Sequence, residues 1–179
     1  MLRDILKYGI IGGLIVAALM ALSIPLVRGT PAKAYGMAIG YLTMLIALST
    51  VFVAIKRRRD HVLGGVIRFW PAFGLGIGIS TVAGILYVLA WEAMLPLLPG
   101  DFMGEMIARA IADQKAKGVS AEALAQFVAQ MEQFRRDYAN PFYRMPITFT
   151  EIFPVGLLVS LVSAGLLRNS RFLPARASR

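Results

Sequence analysis

Four stretches of this chain run apolar for long enough to cross a bilayer. Tyr8–Val27 ("YGIIGGLIVAALMALSIPLV"), Tyr35–Ile55 ("YGMAIGYLTMLIALSTVFVAI") and Phe69–Trp91 ("FWPAFGLGIGISTVAGILYVLAW") carry no charged residue, and Ile147–Leu167 carries one, Glu151. A membrane-crossing helix needs about 20 mostly apolar residues at about 1.5 Å rise each, so each stretch predicts a span. The breaks between them are "RGTPAK", a basic stretch after Ile55, and a long polar region. That region, 99–146, changes its period. Met103, Met106, Ile107, Ala110 and Ile111 recur three and four apart, as do Leu124, Phe127, Val128, Met131, Phe134 and Tyr138. This is the signature of two amphipathic helices. Asp101 caps the first, which runs to about Lys117, and Gly118 stops it. Ser120 caps the second, with Glu122 in its first turn, and Asn140-Pro141 ends it. The expected fold is all-α: an integral membrane four-helix bundle over 1–179, with a helical hairpin at 99–146 between the third and fourth spans.

Composition agrees with a bilayer. Hydrophobic residues make up 58% of 179, against about 45–50% in soluble domains. Cysteine is absent, which excludes disulfides, thiolate metal sites and a cysteine nucleophile. The first run follows a basic start, as a signal peptide would, but it exceeds the usual apolar region of about 7–15 residues. It is read as a retained helix.

The net charge of +9 would suggest an anionic partner, and its distribution decides which. With four spans, the N-terminus, the 56–68 segment and the C-terminal tail share one side. Arg3, Lys7, Lys56, Arg57, Arg58, Arg59, Arg68, Arg168, Arg171, Arg176 and Arg179 all fall there. The 28–34 loop on the other side offers Arg28 and Lys33, and the 99–146 region balances six cations with six acids. Cytoplasmic segments hold the excess of Lys and Arg, so both termini are expected in the cytoplasm and the hairpin outside it. Lys56, Arg57, Arg58 and Arg59 then anchor the topology and meet lipid headgroups. No aromatic interleaving or nucleic-acid motif accompanies them, so nucleic acid is not an expected partner. Tyr8, Phe69, Trp70 and Phe172 fall at the cytoplasmic interface, and Tyr35, Trp91, Phe149 and Phe153 at the outer one, depths that amphipathic rings prefer.

Small residues recur every four positions: Gly9, Gly13, Ala17 and Ala21; Gly36 and Gly40; Gly74 and Gly78, with Gly76, Ser80 and Gly84 nearby; Gly156, Ser160 and Ala164. Such ladders let helices approach closely, within one bundle or in a homo-oligomer. "GLGIGIS" has neither the preceding strand nor the lysine of a phosphate loop.

An acid inside a span is a candidate functional group. Glu151 and Glu92 both fall near the outer end of their spans, with Tyr87 about a turn below Glu92 and Tyr41 about two turns into the second span. The four are a candidate outer-leaflet pocket for a cation, a proton or a headgroup. The competing reading is structural. "TFTE" (Thr148 to Glu151) fits a capping box, Glu92 has Arg144 as a candidate partner, and Pro154 predicts a kink. His61, the single histidine, lies in the basic stretch beside Asp60. No paired-histidine metal motif and no serine elbow occur. No catalytic residue, metal or cofactor is expected.

"YLTMLIALSTVFVAIKRRRD" followed by "GGVIRFWPAFGLGIGISTVAGILYVLAWE", with "KGVSAEALAQFVAQMEQFRRDYANP" and "TFTEIFPVGLLVSLVSAGLLR", resembles a bacterial membrane family catalogued as domain of unknown function 4199. The resemblance runs from about Lys7 to Arg168. It implies a small bacterial inner-membrane protein and supplies no activity or site residue. The expected role is structural or accessory, with a membrane-protein partner or second copy met through the small-residue faces or the 101–138 hairpin. The alternative is ion- or proton-coupled transport of a small solute through the acid-lined pocket.

Overall fold

The structure, a computed structural model, describes residues 1–27, 36–98 and 100–174. Six α-helices and a short 3-10 turn, Leu95–Leu97, account for its regular structure: α1 Leu2–Val27, α2 Gly36–His61, α3 Phe69–Met94, α4 Phe102–Ala116, α5 Ala121–Tyr138 and α6 Pro141–Leu167. No strand occurs among the described residues. Helices α1, α2, α3 and α6 are long and apolar enough to cross a membrane, so this is a multi-pass membrane protein. Tyr35, Arg28, Lys33, Pro99, Arg176 and Arg179 lie outside the described residues.

Three spans extend about six residues past their expected bounds, α1 by starting at Leu2 instead of Tyr8. The basic stretch continues α2 instead of forming a loop. Cations complement the negative end of the helix dipole, and Lys56 reaches Asp60 one turn on, at 2.5 Å. The helix stops where Gly64 and Gly65 take positive φ, with Gly65 N–H donating to Arg59 O. Helix α6 starts at Pro141 instead of Ile147. Proline suits a first helical position, whose N–H needs no helical partner. Thr148 is therefore no cap. It lies two turns inside α6, buried, and its hydroxyl donates to Arg144 O at 3.0 Å.

The chain forms two compact units, Met1–Trp91 with Phe149–Arg179, and Glu92–Thr148. In the first, close glycine contacts fix the topology. A Cβ on Gly78 would lie 2.7 Å from Ile5 Cδ1, one on Gly9 2.5 Å from Val82 Cβ, and one on Gly13 2.5 Å from Leu86 Cβ. The paired numbers rise together, so α1 and α3 are parallel. Between α3 and α6 they run oppositely: Gly76 meets Ser160, Gly156 meets Ser80 and Gly84 meets Phe149. Gly12 meets Thr50 of α2, and Asp4 meets Arg58, so α1 and α2 are antiparallel. The result is an up-down-up-down bundle in which α2 and α3 each touch both α1 and α6. Gly40 has nothing within 4 Å of a Cβ, and Gly74 only the end of Met1. Spacing alone did not say which rungs of the glycine ladders face a neighbour.

The core holds Val16, Leu48, Val51, Ile55, Leu75, Ile79 and Ile152, all essentially inaccessible. In the α3–α6 seam Ser160 Oγ donates to Gly156 O at 2.7 Å, and Ser80 Oγ lies 3.3 Å from both Gly156 O and Ser160 Oγ. These hydroxyls satisfy one another where neither water nor charge is at hand. Leu14, Leu42, Leu89 and Leu158 stay exposed on the outer faces, the surface a bilayer covers.

In the second unit α4 packs on α5. Asp101 accepts from Gly104 N–H at 2.9 Å and Ser120 from Ala123 N–H at 3.2 Å, each satisfying an orphan first-turn donor. Gly118 takes φ +71° just past α4, a left-handed turn that glycine adopts without strain. The stripe of α5 is half-buried, and Ile107 of α4 and Tyr138 of α5 are buried.

Candidate functional site

The four cations at the end of α2 part company because each helical residue turns the next side chain by about 100°. Arg57 is exposed. Lys56 bonds Asp60. Arg58 Nη1 reaches Asp4 Oδ2 of α1 at 2.5 Å. Arg59 points inward and is 0% exposed. Its Nε donates to Asp60 Oδ1 at 2.7 Å, its Nη1 to Phe172 O at 2.9 Å and to Leu167 O at 3.5 Å, and its Nη2 to Leu173 O.

Arg59 therefore caps α6. The last carbonyls of a helix lack partners of their own, and a guanidinium presents five donors in a planar fork. The turn it holds, 168–173, is shaped by Asn169, whose side chain accepts from Arg171 N–H, and by Phe172 N–H donating to Asn169 O. Leu173 takes φ +47°, a left-handed conformation costing on the order of 1–3 kcal/mol in a non-glycine residue. Of the four cations expected as topology anchors or headgroup contacts, Arg59 is buried. Nothing in the row "KRRRD" marks it as different. The signal lay in helical phase: Arg59 follows Ile55, Val51 and Leu48 on the buried side of α2.

Of the proposed outer pocket, the bundle joins two members. Tyr87 O–H donates to Glu151 Oε2 at 3.3 Å, bridging α3 and α6. Tyr87 is buried and Glu151 exposed. Tyr41 is half exposed on α2. Phe149 and Phe153 stack at 5.1 Å on α6.

Glu92 belongs to the second unit, where Arg144 grips it with a bidentate fork, Nε to Oε1 at 2.7 Å and Nη2 to Oε2. Both side chains are mostly buried. Arg144 Nη1 also donates to Tyr138 O at 3.0 Å, and the guanidinium sits 5.6 Å from the Tyr138 ring centroid. One side chain on α6 thus ties the end of α3 to the end of α5. The Glu92–Arg144 pairing is as the sequence suggested. The reach of Arg144 to Tyr138 was not, because α6 was expected to begin beyond it. Among the described residues, no three His, Cys, Asp or Glu side chains gather as a metal site would require.

A family model described as "Protein of unknown function (DUF4199)" matches residues 7–169. No curated protein and no solved structure matches the chain.

Proposed function

Because this chain belongs to the DUF4199 family of proteins of unknown function, we propose a bacterial inner-membrane protein with an accessory role and no reaction of its own. In this reading the bundle holds the α4–α5 hairpin outside the cytoplasm as a contact element for a membrane complex or the envelope. The observation that carries it is the use made of the polar groups. Both oxygens of Glu92 are held by Arg144, Ser80 and Ser160 bond within a helix seam, and Arg59 caps α6. Each of these groups holds helices together.

The orientation rests on the charge distribution. Asp4–Arg58 and Arg59–Phe172 join the N-terminal turn, the end of α2 and the C-terminal turn at one end of the bundle. That end carries the cation excess, so it faces the cytoplasm by the positive-inside tendency. A reporter enzyme that works only after export, fused near Ser120, is expected to be active. Activity from a cytoplasm-only reporter at that position would reverse the topology.

A second reading, ion- or proton-coupled transport, is favoured by the Tyr87–Glu151 bond on a membrane span. The two readings separate in proteoliposomes. The accessory role predicts no solute or proton flux above empty vesicles, and Glu151→Gln with wild-type stability. A flux that wild type supports and Glu151→Gln abolishes would establish transport instead.

A further inference from the structure

The cytoplasm-facing end of α1 and α2 encloses a cleft of about 210 Å³. Its lining combines Arg3 and Lys7 from α1 with Arg57, Arg58 and His61 from α2, against a single carboxylate, Asp4. Four permanent cations thus line one cleft, together with the buried Tyr8 and Ala54. Lys7 Nζ stands 5.7 Å from the Tyr8 ring centroid, and the Asp4 carboxylate fixes Arg58. The other half of the basic row does not contribute, since Lys56 and Arg59 are drawn to Asp60 and the C-terminal turn.

We infer that this cleft binds the phosphate of an anionic phospholipid. A phosphate diester takes charge-assisted hydrogen bonds from guanidinium and ammonium groups, and here two helices line one cleft with them. The outer faces of the same helices supply the rest of the ligand. Arg3 and Lys7 continue the exposed stripe of Ile10, Ile11 and Leu14 on α1, and Arg57 continues that of Ile46 and Val53 on α2. Spacings of three, four and seven keep each stripe on one helix face. Two greasy stripes thus end in cations at the same level. A free phosphate would use the cations and leave the stripes idle, whereas a phospholipid uses both.

The test is lipid retention by the full-length protein in mild detergent, read by native mass spectrometry with phosphatidylglycerol, phosphatidylcholine and inorganic phosphate as probes. Wild type should retain phosphatidylglycerol in preference to phosphatidylcholine, more weakly at high salt. The double variant K7Q/R57Q removes two solvent-exposed cations and should lower that affinity about 30-fold. The charge-keeping variant K7R/R57K should restore most of it. R109Q, an exposed cation of α4, should change nothing. The assignment is overturned if K7Q/R57Q, eluting as wild type does, retains phosphatidylglycerol equally well. It is also overturned if phosphatidylcholine is held as tightly, or if millimolar inorganic phosphate displaces the lipid.

Discussion

Arg59→Met should destabilise the bundle by about 3 kcal/mol or more, while Arg57→Met two positions earlier should cost almost nothing. Methionine fills much of the arginine volume, so the loss is chiefly of hydrogen bonds. Arg59 serves the carbonyls of Leu167, Phe172 and Leu173 and the Asp60 carboxylate. A buried acceptor left without a donor costs about 1–3 kcal/mol; Leu167 O is buried and the other acceptors part-buried, and Lys56 still offsets part of the loss at Asp60. Arg59→Lys should recover little, because one ammonium cannot span carbonyls that a planar fork reaches together. Thermal unfolding in detergent measures the difference, and limited proteolysis after Arg168 should accelerate in Arg59→Met alone. Equal melting temperatures for the position-57 and position-59 variants would refute the capping role.

Gly156→Leu should have an effect of similar size or larger. Even a Cβ there would lie 2.6 Å from Ser80 Cβ, and the rest of a leucine would have to enter the α3–α6 seam. Overpacking costs about 1–3 kcal/mol where side chains can shift. Here the obstacle includes the Ser80–Ser160 pair, whose hydrogen bonds to Gly156 would also be lost. Gly40→Ala is the matched control. Nothing lies within 4 Å of its would-be Cβ, and alanine favours helix over glycine by up to about 1 kcal/mol. Melting temperatures in detergent should therefore move in opposite directions. A Gly156→Leu protein that elutes and melts as wild type does would mean that the seam is not closely packed.

Much of this architecture was legible because membrane folds obey few rules. Apolar length gave the four spans, and capping chemistry placed Asp101, Gly118 and Ser120 correctly at the hairpin ends. What failed was the assumption that a span ends where its apolar run ends. Charged residues continue a helix readily, so α2 extends through "KRRRDH", and "PFYRMP" gives α6 an earlier start. The Thr148 cap fell with that boundary. The candidate pocket was harder to read. Linear position put Glu92, Glu151, Tyr87 and Tyr41 at comparable depths, but depth says nothing about azimuth. Helical phase joined Tyr87 to Glu151, while Glu92 took the arginine that the earlier helix start brought within reach.

The Arg59 clasp also bears on biosynthesis. Its donors lie on α2, whereas Leu167, Phe172 and Leu173 are made more than a hundred residues later. Until those carbonyls emerge, the nascent chain carries a guanidinium on its inward face with only the adjacent Asp60 to neutralise it. Water and headgroups must shelter that charge in the interim. A partly made chain therefore keeps a polar flaw on α2 that is repaired only once residues 167–173 have been added.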